Sequence, residues 1–162
     1  DQISHSIKLL SDQLKDVYHG DWPVFLVVLN GALFFAGDLL KHIDDFVDVS
    51  CVKVHSYEGV ESTKKISLDY FPYDIIKNKK VLLIEDIVDS GLTLNFLTKE
   101  LRKNGAKEVD CITLLFKPNR YNYASHPKYV GFNIGDEFVV GYGMDLNQKG
   151  RGLRSIYKNI IN

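Results

Sequence analysis

The sequence predicts an α/β fold in which helices flank a central parallel sheet. Two segments, Val24–Leu29 and Val81–Ile84, contain only apolar residues, which is typical of strands that are buried on both faces. Each segment is followed by a turn and then by apolar residues at helical spacing. Strands that alternate with helices indicate parallel pairing through right-handed crossovers.

The chain opens with a predicted amphipathic helix over residues 3–18, whose apolar face is Ile3, Ile7, Leu10, Leu14 and Val17. Residues 22–40 are almost wholly apolar and nearly as long as a membrane span, but Asn30-Gly31 interrupts them. A strand at Val24–Leu29, a tight turn and a helix at Leu33–Ile43 explain this segment better. We therefore expect no membrane partner and, because charges run through the first helix, no signal peptide.

The middle of the chain predicts one strand and one long loop. Phe46–Val54 alternates well enough for a strand, whereas His55–Tyr70 loses periodicity and gathers Ser, Glu, Gly, Thr and Lys. A loop of this length inside a compact domain is usually a lid or a binding loop. We expect residues 55–70 to be mobile and to close over a ligand, as a loop or as a flexible hairpin.

The second half of the chain continues the alternation of strands and helices. The predicted elements are a strand at Lys80–Ile84, a helix at Leu92–Asn104, a strand at Val109–Phe116 and short strands at Tyr129–Phe132 and Phe138–Tyr142. Asn104-Gly105 is a usual signal for the end of a helix. No repeat or linker divides the 162 residues, so we predict one domain over residues 1–162.

The composition favours a soluble enzyme over a nucleic-acid-binding protein. Charged residues make up 25% of the chain, and the formal net charge is −1, whereas a general nucleic-acid binder usually carries a basic patch. Cys51 and Cys111 have the spacing of neither a zinc site nor a disulfide framework. We therefore expect free thiols and a cytoplasmic protein.

The most informative segment begins at the predicted end of the strand Val81–Ile84. Glu85 and Asp86 come next, and residues 89–93 read Asp-Ser-Gly-Leu-Thr. Ligands of open α/β sheets bind beyond the carboxyl ends of the strands. Gly91 permits a close approach of the backbone, so that successive amides and the start of the next helix can hold a phosphate.

The acidic pair indicates a second ligand group beside the phosphate. Two adjacent carboxylates suit a pair of vicinal hydroxyls, a divalent metal, or both, and a phosphorylated ribose would satisfy the whole segment. The alternative is a buried strand with an Asp or Ser helix cap and solvated acids. A Walker A loop and a dinucleotide fingerprint are excluded, because Gly-Lys-Ser/Thr and Gly-x-Gly-x-x-Gly are both absent.

Residues 81–93 resemble the phosphoribosyl-pyrophosphate (PRPP) motif of type I phosphoribosyltransferases, and further motifs resemble the hypoxanthine(-guanine) phosphoribosyltransferases. In chain order these further motifs are Leu29–Ala32, Phe35–Leu40, Ser56-Tyr57, Leu114–Lys117, Tyr129–Phe132, Asp136–Asp145 and Arg151. The matches keep their order over about residues 24–157. The resemblance implies a parallel sheet flanked by helices, a small hood formed by the terminal segments and a flexible loop.

The resemblance also implies a reaction, purine salvage. The 5-phosphoribosyl group of PRPP would be transferred to N9 of hypoxanthine, and of guanine, to give IMP or GMP and pyrophosphate. Mg²⁺ would be the cofactor, held with PRPP by Glu85, Asp86 and Asp145. Asp89 matches the family's acid/base group, which lies beside purine N7.

The other site residues that the resemblance implies fall into three groups. Ribose and its 5′-phosphate would be bound by Glu85, Asp86, Asp89, Ser90, Gly91, Leu92 and Thr93. Pyrophosphate would be bound by Asn30, Gly31, Ser56, Tyr57 and Arg151. The purine would be bound by Lys117, Phe138, Val139 and Asp145, with the Lys117 ammonium donating to the 6-oxo group.

Three features depart from the family pattern. Asn30 replaces a common Lys or Arg, so the pyrophosphate loop loses one charge, although its backbone can still bind phosphate through an unusual cis peptide. Leu92 replaces a common Lys without removing an amide donor. Residues 146–150 lack the aromatic residues that usually precede the late arginine, which bears on the placement of Arg151.

Other functions remain open at this point. The same fold could act on xanthine, adenine, orotate or uracil, regulate pyrimidine genes by binding RNA, or bind a sugar phosphate without catalysis. The net charge opposes the RNA-binding alternative, and the purine-side residues favour 6-oxopurines. Phe34, Phe35 and Phe46–Val49 carry more apolar surface than one small core can bury, and relatives assemble, so we expect a homodimer or a homotetramer.

Overall fold

A computed structural model describes residues 2–58 and 64–158, without the side chains of residues 56–58 and 64–65. The helices are α1 (Gln2–Tyr18), α2 (Leu33–Ile43), α3 (Tyr73–Ile76) and α4 (Leu92–Lys103). The strands are β1 (Val24–Leu29), β2 (Val49–Glu58), β3 (Lys64–Tyr70), β4 (Lys80–Val88), β5 (Glu108–Phe116), β6 (Tyr129–Asn133), β7 (Val139–Val140) and β8 (Tyr157–Lys158).

Six strands form the main sheet in the order β3-β2-β1-β4-β5-β6. Every neighbouring pair is parallel except β2 and β3, which are antiparallel. The predicted α/β fold with a parallel sheet and flanking helices is therefore confirmed, with one antiparallel strand added at an edge. β7 and β8 form a separate antiparallel pair, which joins the C-terminal segment to the region after β6.

Helices cover both faces of the sheet, and the side chains of β1 pack against them on both sides. Phe25 and Val27 belong to the cluster that contains the buried residues of α1 and α2. Leu26 and Val28 belong to the cluster that contains the buried residues of α4. Each such side chain contributes about 1.5–3 kcal/mol when it is fully buried. Because alternate residues enter opposite cores, β1 contains no polar residue.

β4 is longer than the sequence predicted, and this changes the position of the acidic pair. The strand does not end at Ile84 but runs to Val88, so Glu85 and Asp86 lie within it. β5 continues the pairing on one side as far as Val88, whereas pairing with β1 on the other side stops at Ile84. The two carboxylates therefore lie in the part of β4 that pairs with β5 but no longer with β1.

The predicted strand Phe46–Val54 and loop His55–Tyr70 are wrong in their boundaries. β2 begins at Val49, continues to Glu58 and pairs with β3 from Lys53↔Tyr70 to Glu58↔Lys64. A hairpin, the second of the two expected forms, therefore occupies this region, and residues 59–63 lie outside the described ranges. The cause is the antiparallel pairing of β2 with β3, which local periodicity does not reveal. Mobility and closure of this segment remain predictions.

Two further expectations need correction. The predicted strand Phe138–Tyr142 is reduced to Val139–Val140, because a turn closed by a 3.0 Å hydrogen bond from Gly141 N to Met144 O follows. Phe35, expected to add to an exposed apolar surface, is fully buried, whereas Phe34 is 42% exposed and Phe46 is fully exposed. In the described ranges, no helix is long and apolar enough to cross a membrane.

Candidate active site

Three cavities meet around Ile87, at the carboxyl ends of β1, β4 and β5. The acidic cavity is lined by Gly31, Glu85, Asp86, Thr93 and Arg151, among others. The loop cavity is lined by Glu85 and by the turn Asp89–Thr93. The lysine cavity is lined by Asp86, Asp89, Lys117, Phe138, Val139 and Asp145. Ile87 lines all three, so most residues predicted for the site come together here.

Burial dominates the electrostatics of the acidic cavity. It raises the pKa of Glu85 well above the usual value, and the neighbouring Asp86 carboxylate raises it further. Burial also raises the pKa of Asp86 to about 6, although the hydrogen bond from Ile87 N and the charge of Arg151 act in the opposite direction. The pair therefore favours a bound cation or hydroxyl donors, either of which relieves the repulsion.

The donor set of this cavity fits Mg²⁺ that is shared with a substrate. Within residues 2–58 and 64–158, no group of three or more His, Cys, Asp or Glu side chains is arranged to hold a metal ion by itself. Mg²⁺ is usually held by one or two carboxylates together with substrate phosphates and waters. Glu85 and Asp86 supply that number of carboxylates, and any further ligands must come from the substrate and water.

Asp145 and Arg151, both predicted for the site, are bonded to each other. Arg151 Nη2 lies 2.6 Å from Asp145 Oδ1, and Gln148 N donates to Asp145 Oδ2 at 2.8 Å. Arg151 Nη1 donates to the carbonyl oxygen of Gly143 at 2.8 Å. Both side chains therefore hold the turn after β7 while they face the acidic and lysine cavities.

The loops after β1 and β7 touch through glycines. Gly143 has a φ of +100°, and a Cβ atom on it would overlap the carbonyl oxygen of Gly31. A Cβ atom on Gly31 would in turn overlap the Asp86 carboxylate. The Leu29–Asn30 peptide is cis, and Asn30 is exposed between two residues that line the acidic cavity. Only glycine permits this stack of two backbones and a carboxylate.

The turn before α4 forms the wall of the loop cavity. Gly91 has a φ of +82° and is the N-cap, without a side-chain hydrogen bond to the first turn. Leu92 N donates to Ser90 Oγ over a long 3.4 Å. The alternative of Asp89 as a helix cap is therefore wrong, because its carboxylate is bonded elsewhere. A Cβ atom on Gly91 would overlap the ring of Tyr121, a neighbour that the sequence did not reveal.

An ion pair between the buried Lys117 and the partly exposed Asp89 lines the lysine cavity. Lys117 is 2% exposed, and its Nζ donates to Asp89 Oδ2 at 2.9 Å. Arg120, which no sequence motif indicated, places Nε 2.9 Å from Asp89 Oδ1. Phe138 is 50% exposed and lines the same cavity. The cavity thus combines a buried donor, an acceptor and an aromatic surface.

Two predicted residues and one unpredicted contact complete the description. Ser56 and Tyr57 lie in β2, and their side chains are outside the described part of the chain. The Tyr142 hydroxyl donates to Asp38 Oδ2 of α2 at 2.6 Å. This bond fixes the segment after β7 to the helix that follows the Asn30-Gly31 loop.

Comparisons with known proteins agree with this geometry. A family model described as a phosphoribosyl transferase domain matches residues 1–147. The hypoxanthine-guanine phosphoribosyltransferase of Bacillus subtilis (strain 168) is 36% identical over 154 residues, which cover 94% of this chain and 86% of the relative.

Solved structures give the same result. A hypoxanthine phosphoribosyltransferase from Staphylococcus aureus superposes with a TM-score of 0.88 at 38% identity, covering 97% of this chain and 86% of the other. The enzyme from Trypanosoma cruzi, a mutant in a ternary complex with substrates, superposes with a TM-score of 0.87 at 30% identity. That match covers 97% of this chain and 90% of the other.

Proposed function

This chain belongs to the phosphoribosyl transferase domain family, and from that membership we propose that it transfers the 5-phosphoribosyl group of PRPP to N9 of hypoxanthine and guanine. The products are IMP or GMP and pyrophosphate, which makes the protein an enzyme of purine salvage. The observation that supports this most strongly is the buried Lys117 ammonium, bonded to Asp89 beside the half-exposed ring of Phe138.

Base recognition rests on the lysine cavity. Lys117 has only donors, so it pairs with a 6-oxo acceptor and opposes a 6-amino donor. Phe138 stacks on the purine, and the Val139 carbonyl accepts from N1–H and from the 2-amino group of guanine. Xanthine places a 2-oxo acceptor near Asp145 and is therefore a poor substrate. Repulsion thus contributes to the selectivity as well as attraction.

Asp89 is the proposed acid/base group. When Lys117 turns towards the 6-oxo group, Asp89 Oδ2 loses its donor and is free to accept the proton at purine N7. The carboxylate then manages the ring proton while N9 attacks ribose C1. Acid/base groups of this kind typically contribute about 10²–10⁴-fold to the rate.

The acidic cavity takes the sugar and the leaving group. Glu85 and Asp86 bind the ribose hydroxyls, and together with Asp145 they would hold Mg²⁺. Mg²⁺ held there would supply charge compensation for the diphosphate leaving group. Positive charge builds on the ribose as the C1–O bond breaks, and the adjacent carboxylates steady it.

The loops around the acidic cavity bind the phosphates. The amides of the Ser90–Thr93 turn and the hydroxyls at its ends hold the 5′-phosphate. The Asn30-Gly31 backbone, Ser56, Tyr57 and Arg151 bind pyrophosphate, with Arg151 leaving Asp145 to do so. Closure of the β2–β3 hairpin excludes water, which otherwise hydrolyses the activated sugar.

The proposed enzyme is also a cytoplasmic homo-oligomer. Phe34, Phe46 and Val49 expose apolar surface, which supports a homodimer or a homotetramer. Cys51 and Cys111 are free thiols, in agreement with a cytoplasmic enzyme. The mass at micromolar concentration, measured by light scattering, tests the assembly, and a monomer would contradict it.

One assay tests the function directly. Purified protein is incubated with PRPP, Mg²⁺ and each of hypoxanthine, guanine, xanthine and adenine, and nucleotides are separated by chromatography. We expect IMP and GMP, little xanthine product and no AMP. Nucleotide from another base alone would assign a different substrate, and no nucleotide from any base would contradict the enzymatic function.

A further inference from the structure

Asp89 is held by two cations, one on each carboxylate oxygen. Lys117 Nζ donates to Oδ2 at 2.9 Å, and Arg120 Nε lies 2.9 Å from Oδ1. The two contacts differ in quality. The Lys117 contact is a well-aligned hydrogen bond, whereas Oδ1 is buried and accepts no aligned hydrogen bond. The contact between Arg120 and Asp89 is therefore an ion pair without a hydrogen bond.

A single turn places both cations on the same carboxylate. Lys117 directly follows the last residue of β5. Its backbone N donates to Val88 O of the neighbouring strand β4 at 3.0 Å. A 3₁₀ turn, Pro118–Arg120, follows at once, and Arg120 N donates to Lys117 O at 3.2 Å. The backbone thus fixes the spacing between the ammonium and the guanidinium.

We propose that Arg120 is a positioning residue, which holds the Asp89 carboxylate in its orientation while Lys117 leaves Asp89 to bind the base. This inference rests on the proposed function, in which Lys117 leaves Oδ2 and donates to the 6-oxo group. Without a second cation, Asp89 would then lose its only charged partner and would be free to follow the ammonium. Arg120 prevents this, because it binds Oδ1 and leaves Oδ2 free for the N7 proton.

Asp89 Oδ1 has no hydrogen-bond partner, and this favours the movement of Asp89 from Lys117 towards Arg120. Because Nε already lies 2.9 Å from Oδ1, we expect a small rotation of Asp89 away from Lys117 to align Oδ1 with the Nε–H group of Arg120. Loss of the Lys117 hydrogen bond is therefore offset by a hydrogen bond from Arg120. Arginine suits this task because its guanidinium is always charged and presents donors in a fixed plane.

A purely structural role for the Arg120 contact is the competing interpretation. The side chains of Arg120 and Asp89 are 48% and 37% exposed, and ion pairs at this exposure contribute little to folding stability. Arg120 variants should therefore fold as the wild type does. An effect on turnover without an effect on unfolding separates the two interpretations.

The test is a double-mutant cycle with Arg120→Gln, Asp89→Asn and the combined variant, together with Arg120→Lys. Arg102→Gln, an exposed arginine on α4 outside the three cavities, is the matched control. For each variant, kcat and the KM values for PRPP and hypoxanthine are measured, with thermal unfolding as the check on folding.

We expect Arg120→Gln to lower kcat by about 10–100-fold, the scale of a misplaced reacting group, with KM for PRPP unchanged. Arg120→Lys, which keeps the charge but not the planar donors, should recover part of that loss. In the Asp89→Asn background, Arg120→Gln should cost nothing further, because the two residues act as one unit. Arg102→Gln should behave as the wild type.

Three results would overturn the inference. They are an unchanged kcat in Arg120→Gln, losses that multiply in the combined variant, and a lowered unfolding temperature that accounts for the loss. A wild-type protein that forms no nucleotide would instead overturn the proposed function, and this role of Arg120 with it.

Discussion

The hydroxyl of Tyr142 donates a 2.6 Å hydrogen bond to Oδ2 of Asp38, a residue 104 positions earlier in the chain. Burial alone would raise the pKa of Asp38, but the hydrogen bonds from Tyr142 and Lys41 outweigh it, and the pKa falls below the usual 3.8. The bond thus ties α2 to the segment after β7 and favours the ionised carboxylate.

Tyr142→Phe should lower the free energy of unfolding at pH 7 by about 1 kcal/mol, because a hydrogen bond to a charged group is lost. A lowered pKa contributes stability that is fully present above the unfolded value of about 3.8 and is lost as the pH falls through the folded value. The difference from the wild type should therefore shrink below pH 4. Urea unfolding at pH 7 and pH 3.5 measures it, with Tyr73→Phe, an exposed tyrosine, as control. A difference that is independent of pH would contradict the assignment.

Asp86→Asn should stabilise the fold at neutral pH while it reduces activity. Burial raises the pKa of Asp86 from 3.8 to about 6, so the folded state binds the proton more tightly. The cost of ionisation therefore grows as the pH rises from about 4 to about 6. The full change corresponds to about 3 kcal/mol, which partial exposure reduces to about 1–2 kcal/mol.

Urea unfolding of Asp86→Asn without Mg²⁺ tests this expectation at pH 7 and pH 4. The gain in stability should be present at pH 7 and nearly absent at pH 4. Asp74→Asn, at an exposed position on α3, is the control. A variant that is less stable than the wild type at pH 7 would show that the carboxylate has a compensating partner.

Asp89→Asn should lower kcat by about 10²–10⁴-fold and leave the affinity for PRPP unchanged. The phosphate is expected to be held by the amides of the Ser90–Thr93 turn, so loss of this carboxylate leaves that site intact. Steady-state kinetics and calorimetric titration with PRPP measure the two quantities. Near-normal turnover would remove Asp89 from the chemistry.

Lys117→Met should relax the choice of base. The ammonium is 2% exposed, so a donor that faces the 6-amino group of adenine leaves both groups unpaired, at a cost of about 1–3 kcal/mol or more. Removing the ammonium should lower the ratio of kcat/KM for hypoxanthine to that for adenine by about 10-fold or more. Competition between the two bases measures the ratio, with the exposed Lys99→Met as control. An unchanged ratio would mean that Lys117 does not read the 6-position.

Activity should require Mg²⁺ or Mn²⁺. Glu85 and Asp86 offer only two carboxylates, so the remaining ligands must come from PRPP and water. Excess chelator should abolish nucleotide formation, and added Mg²⁺ or Mn²⁺ should restore it. Undiminished rates in the chelator would refute the requirement for a divalent metal.

The parts of the fold that local patterns describe were predicted well. β1 and β4 carry apolar runs because both faces of the sheet are covered, and α4 begins and ends at the turn residues that the sequence indicated. Residues 85–93 were expected to form one site, and they line the three cavities that meet at Ile87. The reason is that the carboxyl ends of adjacent parallel strands lie along one edge of the sheet.

The errors have a different origin, since they depend on contacts that the local pattern of residues does not show. β4 extends past Ile84 only because β5 continues beside it. Phe34 and Phe35 are adjacent apolar residues on α2, and the helix turns one outward and the other into the core. Arg120 was overlooked because an arginine in a short turn reads as an exposed residue until its distance from Asp89 is known.

The contact between Gly143 and Gly31 has a consequence for synthetic ligands. Two backbone segments with no side chain between them lie closer together than side chains would allow, which brings the base pocket and the pyrophosphate pocket near each other. A molecule that joins a purine mimic to a phosphonate therefore needs only a short linker. A stiff linker of that length retains the affinity that a flexible one loses in becoming ordered.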